Sequence, residues 1–175
     1  MDIEQLLHDL QRAVNLLYQH DYDLLVGAHK SERTCVSQIV QYCDHNQQVN
    51  IDIESHRRID KNGSYCNKEL CCLSSTKTKY IEPDIIFHIR NDISRNFIVV
   101  EVKGWWNSTK NSWEHDDKKL CGLTSTQNGT QQPFCYELGV FLMLGKKQPY
   151  YAFYQKGTQI DGKSPEKLFS ERTKL

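Results

Sequence analysis

The stretch from Ile81 to Trp105, IEPDIIFHIRNDISRNFIVVEVKGW, constrains this chain more than any other. Two apolar runs, Ile85-Ile86-Phe87 and Phe97-Ile98-Val99-Val100, flank a polar turn from Asn91 to Asn96. β-Branched and aromatic residues on either side of turn formers predict the two strands of a hairpin. Asp84 opens the first strand, and Glu101 and Lys103 close the second with Val102 between them. Side chains alternate across a strand, so Glu101 and Lys103 share a face. In an antiparallel pair the start of one strand lies opposite the end of the next. Asp84, Glu101 and Lys103 are therefore expected to converge at one end of the sheet. Two carboxylates and one ammonium suit a hard divalent cation with an activated water beside it. The same residues also fit a solvated ion pair at a strand end, and spacing alone leaves both readings open.

The flanking segments predict helices and further strands. Ile3, Leu6, Leu7, Leu10, Val14 and Leu17 recur at helical spacing and predict a helix over 2–19. Asp21-Tyr22-Asp23 reads as a break, with Gly27 and His29 in a connecting loop. Ser31 can cap a second helix from Glu32 to about Asp44, with Val36, Ile39, Val40 and Cys43 on its apolar face. Glu32 then lies in the first turn, where a carboxylate suits the helix dipole. Val49 to Glu54 alternates as a half-buried strand and leads to Arg57 and Arg58, which either touch phosphate or are solvated. Asp60 to Gly63 is a turn signal, and Ser64 to Tyr80 reads as a long insertion or loop. Trp105, Trp106 and Trp113 either stack on exposed bases or pack over the core. Asp116-Asp117-Lys118-Lys119-Leu120-Cys121 reads as the start of a helix, with Asp116 or Asp117 as its N-cap. Lys118 and Lys119 either face the site and meet a phosphate or lie on a solvated surface. Gln127 to Thr130 is a break. Val140 to Leu144 reads as a buried strand and Tyr150 to Tyr154 as the last one. A polar tail over 158–175 holds a short helix at Pro165 to Glu171.

Composition sets outer limits. A chain of 175 residues fits one domain, 1–175, around one core. No apolar run approaches the roughly 18 residues of a membrane helix. MDIEQLLHDLQ lacks the pattern of a secretory leader, so a cytoplasmic location with no membrane partner is expected. The formal net charge is zero, so any basic surface for nucleic acid has to be local. The cysteines number seven, an odd count that argues against a disulfide framework. Cys66, Cys71 and Cys72 lack the paired spacing of a zinc site.

Pro83-Asp84 followed by Glu101-Val102-Lys103 resembles the PD-(D/E)xK motif of restriction-endonuclease-like nucleases. The resemblance extends upstream to IDIESHRRIDKNG and downstream to DDKKLCGLT and YELGVFLMLGKKQPYYAFYQKG, as in small single-domain bacterial members. It implies an α/β (α+β) fold, with a central mixed sheet of about four to five strands flanked by helices. The core would span roughly 30–157. The implied activity is metal-dependent hydrolysis of phosphodiester bonds, in DNA ahead of RNA. Asp84, Glu101 and the carbonyl of Val102 would hold Mg²⁺, with Mn²⁺ as a substitute, and Lys103 would orient the attacking water. The resemblance also implies that Glu32, on the helix before the sheet, reaches the metal through water. Nucleic acid is the expected partner, with Lys118, Lys119, Arg57 and Arg58 as candidate contacts. A homodimer is the expected assembly if both strands are cut. The alternative is a catalytically silent module on the same fold that binds nucleic acid or a protein. A zinc-stabilised interaction domain built on the cysteines is a third reading.

Overall fold

Leu6, Leu10, Ala13, Val14 and Leu17 form a buried stripe along helix α1 (Ile3–His20), whose N-cap Asp2 accepts the Glu4 amide at 3.0 Å. The computed structural model describes residues 2–44, 48–53, 57–59, 65–67, 69–71, 78–90, 92, 94–107, 110–126 and 134–171. A four-residue helix, α2 (Asp23–Val26), occupies part of the expected break. Helix α3 (Glu32–Tyr42) starts at the expected cap, with Ser31 accepting the Thr34 amide, and buries Cys35, Val36, Ile39 and Val40.

Six strands form one mixed sheet: β1 (Asn50–Ile53), β6 (Ile85–His88), β7 (Asn96–Gly104), β8 (Leu138–Leu144), β9 (Pro149–Gln155) and β10 (Thr158–Gly162), in the order β1-β6-β7-β8-β9-β10. The β7–β8 pair is parallel and the others are antiparallel. Strands in parallel pairing sit between two layers and read as continuous apolar runs, and all seven residues of β8 are buried. Ile98, Val100 and Val102 of β7 face a cluster with α1 and α3. Val99 of the same strand faces a second cluster with Leu120 and Leu123 of helix α4 (Lys110–Thr124). Each such fully buried side chain contributes about 1.5–3 kcal/mol. Helix α5 (Pro165–Glu171) adds Leu168 to the second cluster.

Three expectations need correction. The sheet has six strands rather than four or five, because the polar tail opens with β10. Lys156 and Gly157, both at positive φ, make a two-residue turn that folds β10 back on β9. The segment 64–80 is not a structureless insertion. It contains β3 (Tyr65–Asn67), which pairs with β2 (Arg57–Ile59), and β4 (Glu69–Cys71), which pairs with β5 (Thr78–Tyr80). Finally, α4 begins at Lys110, so Asp116 and Asp117 are interior residues and not caps. The expected turn at 60–63 and break at 127–130 lie outside the described residues. Among the described residues, no helix is long and apolar enough to cross a membrane.

Candidate active site

The β6–β7 hairpin sets the first part of the site. Its register places Ile85 opposite Val100, which brings Asp84 level with the end of β7. There the Val102 N–H donates to Asp84 Oδ2 at 2.6 Å. A strand residue in a hydrogen-bonded antiparallel pair turns its N–H and C=O to the same neighbour, so the Val102 carbonyl opens toward the Asp84 side. Burial pushes the Asp84 carboxyl up to about 6, against the opposing pull of the Val102 amide, Lys119 and Lys103.

Helix α4 lies over the same end of β7 and supplies the second part. Asp116, Lys119, Leu120 and Leu123 follow i, i+3, i+4, i+7 spacing, and all four are buried. The two charged members of that stripe meet the charged end of β7. Lys119 Nζ lies 2.5 Å from Glu101 Oε2, 3.9 Å from Asp116 Oδ1, and donates to the Glu82 carbonyl at 3.1 Å. Asp116 Oδ2 lies 3.1 Å from Lys103 Nζ. Glu32, at the start of α3, completes the row from the other side. Its Oε1 accepts the Gly104 amide at 2.8 Å and the Asn107 side-chain amide at 3.2 Å, and its Oε2 lies 3.7 Å from Lys103 Nζ. The charges alternate in sign from Glu101 through Lys119, Asp116 and Lys103 to Glu32.

Burial dominates the electrostatics. Glu101 is 1 % exposed, and loss of solvent raises its pKa well above the ordinary value, with Lys119 opposing. Its Oε1 is buried with no hydrogen-bond partner among the described residues. Burial pulls the Lys103 ammonium down, but Asp116 and Glu32 outweigh it, and the net shift is upward. Lys119 behaves likewise, with Glu101 as its largest support. Both lysines are therefore cations at neutral pH.

Asp84, Glu101, Lys103, Val102 and Glu32, all named from the sequence, do come together, and Lys119 joins them as a partner of Glu101. Lys118 is exposed on the helix and stands apart. Arg57 and Arg58 lie in β2, where the backbone alone is described. The residue that the sequence misassigned is Asp116: its charge sits at an apolar position of the α4 stripe, and that anomaly is visible in the sequence once the helix is extended to Lys110. Trp105 and Trp106 pack edge to face at 6.3 Å, and Trp105 Nε1 donates to the Leu25 carbonyl at 3.0 Å. Gly104 is required beside them, since a Cβ there would come within 2.3 Å of the Trp106 ring. Cys35, Cys43 and Cys121 are free thiols, whereas the side chains of Cys66, Cys71 and Cys72 lie outside the described residues.

The chain matches no family model, no curated protein and no solved structure. The chemistry of the site therefore has to be argued from its own atoms. Among the described residues, no three His, Cys, Asp or Glu side chains form a ready cage for a metal. The candidate donors are instead the carboxylates of Asp84 and Glu101, with the Val102 carbonyl on the Asp84 side, all hard oxygens. This composition suits an ion that keeps several of its waters. Lys119 occupies Glu101 Oε2, and Glu101 Oε1 is a buried oxygen with no donor among the described residues. By the chemistry of its oxygens, the free Oε1 of Glu101 with Asp84 would suit a hard divalent cation.

Proposed function

We propose that this chain is a metal-dependent nuclease with a restriction-endonuclease-like core, hydrolysing phosphodiester bonds in DNA ahead of RNA. The observation that carries the proposal is the convergence of Asp84, Glu101 and Lys103 at the end of β7, with a buried carboxylate oxygen left unpaired. Asp84, Glu101 and the Val102 carbonyl would hold Mg²⁺ or Mn²⁺, which when bound supplies a Lewis acid and lowers the pKa of a coordinated water. Lys103 acts as a fixed cation: its raised pKa suits it to orient the attacking water and to balance charge on the phosphoryl oxygens, not to take up a proton. Asp116 and Glu32 hold that ammonium in place from two sides. Cleavage of both strands would call for a homodimer.

One observation favours the silent alternative, a module that binds nucleic acid or a protein without cutting. The Lys119 ammonium is tight against Glu101, the carboxylate that a metal needs. Both readings are tested by incubating the protein with supercoiled, linear and single-stranded DNA and with RNA, in Mg²⁺, Mn²⁺ or EDTA, beside Lys103→Ala. Cleavage that requires metal and disappears in the variant is the expected result. Thermal unfolding with and without Mg²⁺ reads binding separately, because a ligand of the native state raises its stability. Folded protein that cuts no substrate and gains no stability from either metal would overturn the nuclease and leave the silent module.

A further inference from the structure

We infer that Lys30, Trp105 and Lys146 form a phosphate-binding clamp that holds the nucleic-acid backbone beside the active site. This inference rests on the nuclease reading for its choice of partner.

Three segments distant in sequence build the clamp. Trp105 follows β7 directly, two residues beyond Lys103, and its amide donates to the Leu144 carbonyl at the end of β8. The parallel pairing of β7 and β8 puts both C-terminal ends on one side of the sheet, where ligands of open α/β sheets commonly bind. Lys146 lies two residues past the end of β8. Lys30 lies two residues before α3, the helix that contributes Glu32. The Lys30 ammonium sits 5.5 Å from the Trp105 ring centroid, and that of Lys146 sits 5.8 Å from the same centroid. Both distances are within the range of a cation–π contact.

Two like charges around one ring repel each other, and the Lys30 ammonium is held there by donating to the Gly27 carbonyl at 2.9 Å. The ring quadrupole offsets part of the repulsion. Among the described residues, no carboxylate forms an ion pair with either ammonium. Glu32, the acid nearest in the chain to Lys30, is committed to Lys103 and to the Gly104 amide. The turn bearing Lys146 is also fixed in position. Tyr18 donates to the Gly145 carbonyl at 2.8 Å, and Tyr22 donates to the Lys146 carbonyl at 3.0 Å. Trp105 itself is pinned through Nε1 to the Leu25 carbonyl. The result is a preorganised pair of cations on a rigid aromatic support, whose natural complement is an anionic backbone. In a chain of zero formal charge, such a local concentration is what a nucleic-acid footprint requires. Because cations approach the indole, its role is to support the ammonium groups and not to stack on a base.

The test is binding without cleavage. Fluorescein-labelled single- and double-stranded DNA oligonucleotides are titrated with full-length protein in EDTA at several salt concentrations. The proteins compared are wild type, the double variant Lys30→Gln/Lys146→Gln, Trp105→Phe, and the control Lys167→Gln on exposed α5. The double variant is expected to bind at least about tenfold more weakly at low salt. Its salt dependence should flatten by about two in the slope of log K against log salt, since each phosphate contact contributes close to one. Trp105→Phe keeps a ring and should lose less, and Lys167→Gln should match wild type. Unfolding curves confirm that each protein is folded. Wild-type affinity and slope in the folded double variant would overturn the clamp, as would a folded wild type that binds neither oligonucleotide. The nuclease reading is judged separately, on cleavage by wild type in Mg²⁺. Binding that depends on both lysines, without cutting, keeps the clamp and removes the enzyme. Cutting that is undiminished in the double variant, with binding unchanged, does the reverse.

Discussion

Asp52 lies on β1 and Asp84 just before the neighbouring β6, and the two live in opposite environments. Asp52, on β1, faces Ile86 across the β1–β6 pairing, and Asp84 lies two residues before Ile86. His88 Nε2 lies 2.8 Å from Asp52 Oδ2, Arg90 Nε donates to the same oxygen at 3.3 Å, and the Arg90 guanidinium also bonds Oδ1. Hydrogen bonds from His88 and then Arg90 hold the Asp52 carboxyl well below the usual carboxylate range. Asp84 receives one backbone N–H, is half-buried, and is pushed up to about 6 by loss of solvent. Both have cations nearby, so charge alone does not separate them. Loss of solvent at Asp84 and the number of donors that touch each carboxylate do. Asp52 is saturated and serves the fold. Asp84 has fewer donors, and its charged form carries a cost that protonation relieves.

The largest expected contrast is in activity. Asp84→Asn should lower metal-dependent cleavage by about 100-fold or more, the scale of losing a group that acts at the reacting centre. Asp52→Asn should leave it within about threefold, as measured by initial rates on the substrate found to be cut. The cations come next. Lys119→Ala leaves Glu101 buried without its partner and should cost about 3–5 kcal/mol. Arg90→Ala, whose side chain is 61 % exposed, should cost about 1 kcal/mol or less. Urea unfolding at pH 7 compares the two.

The two aspartates should then respond to pH in opposite directions. The Asp52 pKa is depressed by folding, so its contribution is present above the unfolded value near 4 and is lost as pH falls through the folded one. Asp52→Asn should therefore destabilise by about 1.5–3 kcal/mol at pH 7, with the difference shrinking in acid. The Asp84 pKa is raised, so wild-type stability is favoured below about pH 4 and declines as pH rises through about 6. In EDTA, Asp84→Asn should gain up to about 3 kcal/mol at pH 8, at about 1.4 kcal/mol per pKa unit, and nothing below about pH 4. A loss of stability in that variant at pH 8 would mean that Asp84 is a second structural carboxylate.

The contrast was partly legible in the sequence. The apolar runs of β6 and β7 and the alternation at Glu101 and Lys103 predicted the convergence on Asp84, because period and register are local properties. Glu32 was read as a first-turn acid with a second reading as a site residue. The structure ties its carboxylate to Gly104 and Lys103, which depends on how α3 docks. Residues 110–119 hid the start of α4. Polar residues there occupy the buried face, and their burial is supported by the charged end of β7, not by apolar periodicity. β10 was missed because Ile160 is its one apolar residue and is 53 % exposed, so the strand is specified by the Lys156-Gly157 turn. The paired strands between 57 and 80 are three residues each, too short to show a period.

The alternating row from Glu101 to Glu32 also restricts how this sequence can drift. Loss of Lys119 leaves the buried Glu101 without its ion partner and carries the penalty of an uncompensated buried charge, whereas Lys103 keeps one acid when the other is lost. Exchanges that reach a neighbour at the same time avoid it. Glu101 with Lys119, and Lys103 with Asp116, are therefore the pairs through which related chains would change together.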